Sequence, residues 1–155
     1  MTASIGRVLF VVLMSMFTAG NALGSGHEKA DLEYLNPSPE SAKAWPFSDA
    51  VRVGDLLFVS GKIGNIPGKM ELAPGGIQGE TRQALENIKA SVERYGGSMN
   101  RAVKCTVFLA DIAEWGAMNE VYTEFFPENR PARSALGVNG LALDSRVEIE
   151  CIFAL

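Results

Sequence analysis

Hydrophobic residues dominate two short neighbouring segments, "AVRV" and "LLFV", which lie on either side of Gly54-Asp55. Short apolar segments bounded by turn residues are typical of strands, and a Gly-Asp pair between two of them favours a hairpin turn. The pattern therefore predicts a β-hairpin over residues 50–64. Gly61 and Gly64 interrupt its second strand, which indicates a bulge or a close approach of another group to the backbone.

Two later segments instead place their apolar residues at helical spacing. Residues 77–97 carry Leu85, Ile88 and Val92 on one face, and the glycines that follow favour a helix end. Residues 111–126 predict a second helix. Its apolar stripe, interpreted as core packing, is Trp115, Met118, Tyr122 and Phe125.

Strand patterns occupy residues 101–111, 132–141 and 145–155, so the order is β-β-α-β-α-β-β. Because strand–helix–strand crossovers keep one hand, both helices should cover the same face of one sheet. Strand 101–111 is apolar on both faces, so we expect a second subunit to bury the opposite face. The predicted fold is α+β, a single mixed β-sheet with two helices on one face and oligomerisation through the other. The alternative is an opposite face polar enough to remain in water.

The amino-terminal residues have the pattern of a targeting segment. Residues 1–22 contain one basic residue, an uncharged run of about a dozen residues and small residues at cleavage spacing. This pattern predicts a signal peptide, and the apolar run is shorter than the ~20 residues that span a bilayer. We therefore expect an exported protein, periplasmic or secreted, with no membrane attachment after cleavage; an uncleaved anchor is the alternative. Residues 23–45 are interpreted as an exposed arm with little regular structure, and residues 46–155 as one domain.

Composition narrows the chemistry further. The 155 residues are 47% hydrophobic with a net charge of -4, which fits one domain with a core and argues against a nucleic-acid-binding protein. His27 is the only histidine and the two cysteines form no CxxC motif, so we expect no metal site and no histidine-based triad. Export makes a disulfide chemically possible. However, Cys105 and Cys151 lie in apolar strand segments and are predicted to be free, buried residues.

Arg133 and Glu148 are the candidate chemical groups. Each is a charge within a strand-like apolar segment, where it needs a partner or a function. In one interpretation Arg133 forms an ion pair with Glu148 or Glu150. In the other, Arg133 clamps the carboxylate of a small ligand and Glu148 positions or activates a water. Further donors around the ligand would be Ser60, Gly61 and Ser134.

The segments "PFSDAVRVGDLLFVSGKIG", "TRQALENIKASVERYGGS", "VKCTVFLADIAEWGAMNEVYTEFF", "RPARSALGV" and "VEIECIFAL" together resemble the RidA/YjgF family of reactive enamine/imine deaminases. The resemblance covers about residues 46–155. It implies a chorismate-mutase-like fold, a homotrimer with small-carboxylate sites between subunits, and hydrolysis of 2-imino acids to 2-keto acids and ammonia. It also implies that no metal or organic cofactor is used.

The resemblance assigns roles to individual positions. Arg133 matches the family arginine that grips the substrate carboxylate, and Glu148 matches the glutamate that orients water. Ser60-Gly61 and Asn119 match further substrate-binding positions.

Three positions depart from the family pattern. Phe47 stands where many members have tyrosine, Ala135 where many have cysteine, and Asn139 where a small residue is usual. These departures leave the arginine and glutamate in place, so carboxylate binding is a firmer expectation than substrate choice.

Other functions remain as alternatives. A non-catalytic module that binds a small carboxylate in the same cleft is the principal one. Ribonuclease activity is disfavoured by the acidic charge and by the lack of a catalytic histidine. Chorismate mutase activity would rest on analogy of fold alone.

Overall fold

A computed structural model describes residues 29–155 of the chain. The predicted signal peptide, His27 and the start of the arm lie outside the described residues. The strands are β1 Leu32–Leu35, β2 Ala50–Val53, β3 Leu56–Ile63, β4 Ala102–Leu109, β5 Ala132–Gly137 and β6 Val147–Ala154. The α-helices are α1 Pro39–Ala44, α2 Gly76–Arg94 and α3 Trp115–Phe125, and three short 3₁₀ turns cover Met99–Arg101, Ile112–Glu114 and Ala142–Asp144.

The six strands form one mixed sheet in the order β1-β2-β3-β6-β4-β5. All neighbouring pairs are antiparallel except β4 and β5, which are parallel and joined through α3. The predicted hairpin is confirmed: β2 and β3 pair directly, and Gly54 takes the left-handed conformation (φ 54°) in the turn. The predicted α+β fold with a single mixed sheet is thus confirmed, with α1 as a third, short helix.

One face of the sheet carries the core. Alternate residues of the central strands are fully buried there, and α2 packs against β3, β6 and α3. Within one chain only the helix side of β4 is covered, since Val107 is buried whereas Phe108 on the opposite side is half-buried. Leu56, Phe58 and Leu136 remain exposed on the opposite side. This side of the sheet, which carries polar as well as apolar residues, is called the open face below.

The arm contains regular structure that the sequence reading did not predict. Strand β1 pairs with β2, and α1 begins with a capping box in which Ser38 and Ser41 exchange side-chain and backbone hydrogen bonds. Pro39 lies in the first turn of α1, where proline is favoured because its missing N–H is not needed.

The prediction of free cysteines is wrong. Cys105 and Cys151 lie directly opposite each other in the β4–β6 register, with Cα atoms 4.1 Å apart, and form a disulfide in the core. Both side chains point to the helix side, so the bond needs no change of strand register. No helix within residues 29–155 is long and apolar enough to cross a membrane.

Candidate functional site

Arg133 lies on edge strand β5 and points to the helix side of the sheet. Its Nη1 donates a hydrogen bond to Oδ1 of Asn119 at 2.7 Å. Its guanidinium carbon lies 4.6 Å from the ring centre of Tyr122 and 5.8 Å from that of Trp115. Among the described residues it forms no ion pair, so the alternative of a structural pair with Glu148 or Glu150 is wrong for this chain.

The surroundings of Arg133 orient its charge without neutralising it. Burial raises the pKa of Tyr122 to about 12, although the positive charge of Arg133 opposes this shift. The phenol therefore stays neutral at physiological pH, and its ring offers a cation–π contact. A guanidinium has five N–H donors. Because only one of them bonds to Asn119, the others can bind a carboxylate.

The residues of α3 that contact Arg133 were only partly predicted from the sequence. Tyr122 is buried as predicted, but Trp115 is 46% exposed and is not a core residue. Trp115, Asn119 and Tyr122 are spaced i, i+4 and i+7 on α3, so they share one face of the helix. Asn119 was already predicted from the resemblance, and this spacing was the signal that could have identified the two aromatic residues beside it.

Glu148 lies on β6 and points to the open face. Its carboxylate packs against the backbone of Gly61, where a Cβ atom would lie 2.0 Å from Oε1 of Glu148. Gly61 is therefore required by the close approach that the sequence predicted. Burial, and secondarily the charge of Glu150, raise the pKa of the Glu148 carboxyl above its ordinary value. Such a carboxyl exchanges protons nearer to neutral pH, as a general acid or base requires.

Ser60 precedes Gly61 on β3, and Phe47 lines the same cavity as Glu148. The register of β3 and β6 shifts between Val59 and Lys62, which confirms the predicted bulge, and the Ser60 hydroxyl donates to the Ser48 carbonyl at 2.7 Å. Phe47, Gly61 and Glu148 line a cavity of about 420 Å³.

The remaining predicted residues lie around β5. Ala135 is half-buried on the same side as Arg133, whereas Ser134 points the other way and its Oγ accepts a hydrogen bond from Lys104 Nζ at 2.8 Å. Asn139 is exposed in the segment after β5. Within one chain, the Ser134 hydroxyl is therefore not beside the guanidinium.

The two principal candidates point to opposite faces of the sheet. Arg133 is paired with Cys105 across β4 and β5, and Cys105 is buried on the helix side. Glu148 is paired with Phe108 across β4 and β6, and Phe108 alternates with the buried Val107 and Leu109. One chain thus presents two half-sites: the arginine half-site (Arg133, Asn119, Tyr122 and Trp115) and the glutamate half-site (Glu148, Gly61, Ser60 and Phe47).

A half-buried polar cluster beside Glu148 was not predicted from the sequence. Asp49 accepts hydrogen bonds from Lys62 Nζ and from Tyr95 Oη, the latter at 2.9 Å. Burial favours a higher pKa for Asp49, but the hydrogen bond and charge of Lys62 outweigh it and hold the pKa of that carboxyl below its ordinary value. Burial and the bond to Asp49 raise the pKa of Tyr95 to about 12. Asp49 and Lys62 therefore form a charged pair in the cavity wall.

No group of three or more histidine, cysteine, aspartate or glutamate residues that could hold a metal ion occurs in the described part of the chain. The half-sites instead offer one cation with free donors, one carboxyl of raised pKa and a partly apolar cavity. Such an arrangement can orient a small carboxylate and move a proton to or from water.

Comparisons with known proteins identify the family of the chain. The family model described as "Endoribonuclease L-PSP" matches residues 38–155. A RutC family protein of Pyrococcus horikoshii is 46% identical over 107 residues, covering 69% of this chain and 85% of its own. The mouse protein named 2-iminobutanoate/2-iminopropanoate deaminase is 42% identical over 118 residues, covering 76% of this chain and 87% of its own.

A similar solved structure is that of Escherichia coli TdcF with bound serine. Its TM-score is 0.68 at 31% identity, and the match covers 83% of this chain and 98% of that one. The length of the family match, the identities above and the shared fold lead to one conclusion: the chain belongs to the RidA/YjgF (L-PSP) family.

Proposed function

We propose that the protein hydrolyses reactive 2-imino acids and their enamine tautomers to 2-keto acids and ammonia. The observation that carries this proposal is the Arg133 guanidinium, which Asn119 and Tyr122 orient but no carboxylate in the described chain neutralises. A half-buried arginine without a counter-charge is unfavourable unless a ligand supplies one. The name of the mouse relative and the serine bound to TdcF support a small amino-acid-like ligand.

The catalytic site in this proposal lies between two subunits of a homotrimer. Arg133 and Glu148 point to opposite faces of one sheet, so a ligand that contacts both must take them from different chains. The open face supports association, because Leu56, Phe58 and Leu136 would otherwise leave apolar area in water. A closed symmetric assembly would repeat the same contact around its axis.

The chemistry follows from the two charged groups. Arg133 of one subunit binds the substrate carboxylate through two N–H donors and fixes the imine carbon. Ionised Glu148 of the other subunit accepts a proton from water, whose oxygen adds to the carbon of the protonated imine while the C=N electron pair moves to nitrogen. Glu148 then returns this proton to the nitrogen of the carbinolamine. The C–N bond breaks to release ammonia, the carbonyl of the keto acid forms, and Glu148 takes up the hydroxyl proton, which passes to the ammonia. No cofactor takes part in these steps.

Keto-acid release from 2-aminoacrylate and 2-iminobutanoate, generated in situ with semicarbazide as the competing trap, tests the proposal. We expect the parent protein to accelerate release and Arg133→Ala to abolish the acceleration. Arg130→Ala is a matched control, because Arg130 is exposed and lies three residues away. If the parent binds a small carboxylate but accelerates nothing, the protein is a binding module instead.

We further propose that the protein acts outside the cytoplasm. The signal-like pattern of residues 1–22 supports export, and so does the Cys105–Cys151 disulfide, since disulfides persist mainly in oxidising compartments. Fractionation of expressing cells, with a thiol count on the purified protein, tests this. A cytoplasmic protein with two free thiols would contradict it.

A further inference from the structure

Four large apolar side chains are exposed along the cavity that contains Glu148. They are Trp45 at 51% exposure, Phe47 at 54%, Met70 at 67% and Leu143 at 40%. Large apolar side chains are often found singly on protein surfaces, but four around one cavity indicate a binding surface. These four residues are called the apolar wall below.

Three separate segments of the chain bring the apolar wall together. Trp45 caps the end of α1, and its ring stacks on Phe47 with the ring centres 5.9 Å apart. Met70 lies in a loop closed by hydrogen bonds from Ile66 to Glu71 and from Ala73 to Gly64, both at 2.8 Å. The wall therefore does not follow from one apolar stretch of sequence.

Leu143 reaches the wall through an unfavourable backbone conformation. It has φ 58° and ψ 23°, in the left-handed region, and Asp144 follows with φ 56°. Two consecutive non-glycine residues in this region are uncommon, and such strain concentrates at functional sites. The conformation presents a leucine, rather than a glycine or asparagine, to the cavity.

The lining of the cavity also contains charged groups. Glu148 and the Asp49–Lys62 pair line it together with the apolar wall. The volume of about 420 Å³ is within the roughly 300–1,000 Å³ of pockets that bind drug-sized ligands. A three- or four-carbon imino acid would fill only part of this volume.

We infer that the apolar wall binds the side chain of the substrate, so that the preferred 2-imino acids carry large apolar side chains, such as the imines of phenylalanine, leucine and methionine. This inference rests on the proposed deaminase function. With its imine carbon at Glu148, a substrate of this class places its side chain against Trp45 and Phe47. Aromatic pairs of this kind favour offset or edge-to-face contacts.

The test compares imines generated by an amino-acid oxidase from phenylalanine and from alanine. The readout is the ratio of the two kcat/KM values. We expect a ratio of about 10 or more in the parent, since single methylene differences in apolar pockets already give roughly 10–200-fold discrimination. Trp45→Ala and Met70→Ala should each reduce the ratio several-fold, and Trp45→Phe should restore part of it. Tyr34→Ala removes an exposed aromatic residue outside the cavity and should leave the ratio unchanged.

The possible failures are distinct. Hydrolysis of neither imine would contradict the proposed function itself. Hydrolysis of both imines at similar kcat/KM by the parent would overturn only the inference about the apolar wall. The inference would also be overturned if Trp45→Ala and Met70→Ala lowered both kcat/KM values equally and altered the oligomeric state in sedimentation. The wall would then be a contact between subunits.

Discussion

The side-chain carbonyl of Asn119 accepts a hydrogen bond from Arg133 at 2.7 Å, which orients the guanidinium while leaving its charge uncompensated. An amide suits this role because it orients the guanidinium but, being uncharged, does not compete with the substrate carboxylate for it. An aspartate at position 119 has almost the same shape but carries a negative charge. It would still orient the Arg133 guanidinium and would also neutralise it, so the two effects can be measured separately.

Asn119→Asp is expected to raise KM for 2-iminobutanoate about tenfold or more, because an internal ion pair at Arg133 would compete with the substrate carboxylate. Steady-state kinetics with Asn119→Ala as the control would separate the effects, since that variant loses the bond but adds no charge. An equal rise in KM for both variants would show that only orientation matters.

Gly61→Ala is expected to reduce kcat at least ~100-fold, because the new methyl group would overlap the Glu148 carboxylate and displace the group proposed to activate water. Gly116→Ala in α3 is the matched control. It meets no heavy atom within 4 Å, and its added helix propensity should stabilise the fold by about 1 kcal/mol. Circular dichroism and kinetics on both variants test the expectation. A Gly61→Ala protein with full activity would remove Glu148 from the mechanism.

Glu150→Gln should shift the acid limb of the kcat/KM profile to lower pH. Burial raises the pKa of Glu148 first and the charge of Glu150 raises it further, so removing that charge lowers the pKa. Ionised Glu148 is the active form, and activity is therefore lost as pH falls through this pKa. The profile is measured after subtraction of spontaneous hydrolysis, with the exposed Glu71→Gln as control. If Glu150→Gln left the acid limb of the kcat/KM profile unchanged, that limb would report the ionisation of a group other than Glu148.

Mixing two inactive variants tests whether the site is shared. Arg133→Ala and Glu148→Gln subunits, unfolded together and refolded, should regain activity at about a quarter of their sites, because random mixing pairs an intact Arg133 with an intact Glu148 at that frequency in a symmetric assembly. Each variant refolded alone is the control and should stay inactive. No recovery from a correctly assembled mixture would place both residues of a site on one chain.

Removing the disulfide should reduce the free energy of unfolding by about 2–4 kcal/mol, since the Cys105–Cys151 bond closes a loop between residues 46 positions apart. Guanidinium denaturation of the parent with and without dithiothreitol measures the loss. A Cys105→Ala/Cys151→Ala protein is the control, because reductant should not alter it. Equal stability of the oxidised and reduced parent would contradict the expectation.

Most of the fold could be predicted from the sequence because its strands and long helices have clear periodicity. The helix end at Gly96 illustrates this: the glycine takes φ 86° just after α2, as predicted. Helix α1 could not be predicted in the same way. It has six residues, none of them buried, so its stability depends on its cap rather than on an apolar stripe.

The sequence predicted which residues belong to the candidate site better than it predicted how they are arranged. Arg133 and Glu148 were identifiable as charges in apolar strands. Their opposite orientations became clear only from the pairing of β4 with both β5 and β6. The same pairing places Cys105 opposite Cys151, which no spacing in the sequence could indicate. The Asp49–Lys62–Tyr95 cluster was missed because its members become neighbours only when the sheet and α2 pack together.

The position of β6 in the sheet has a consequence for biosynthesis. This strand is the last element of the chain, yet it lies between β3 and β4 and holds the two parts of the sheet together. Until it is made, β3 and β4 have no common partner, and the apolar residues that contact β6 stay uncovered. We therefore expect that a chain whose β6 has not yet been made cannot complete the sheet, and that closure of the Cys105–Cys151 bond would report its completion.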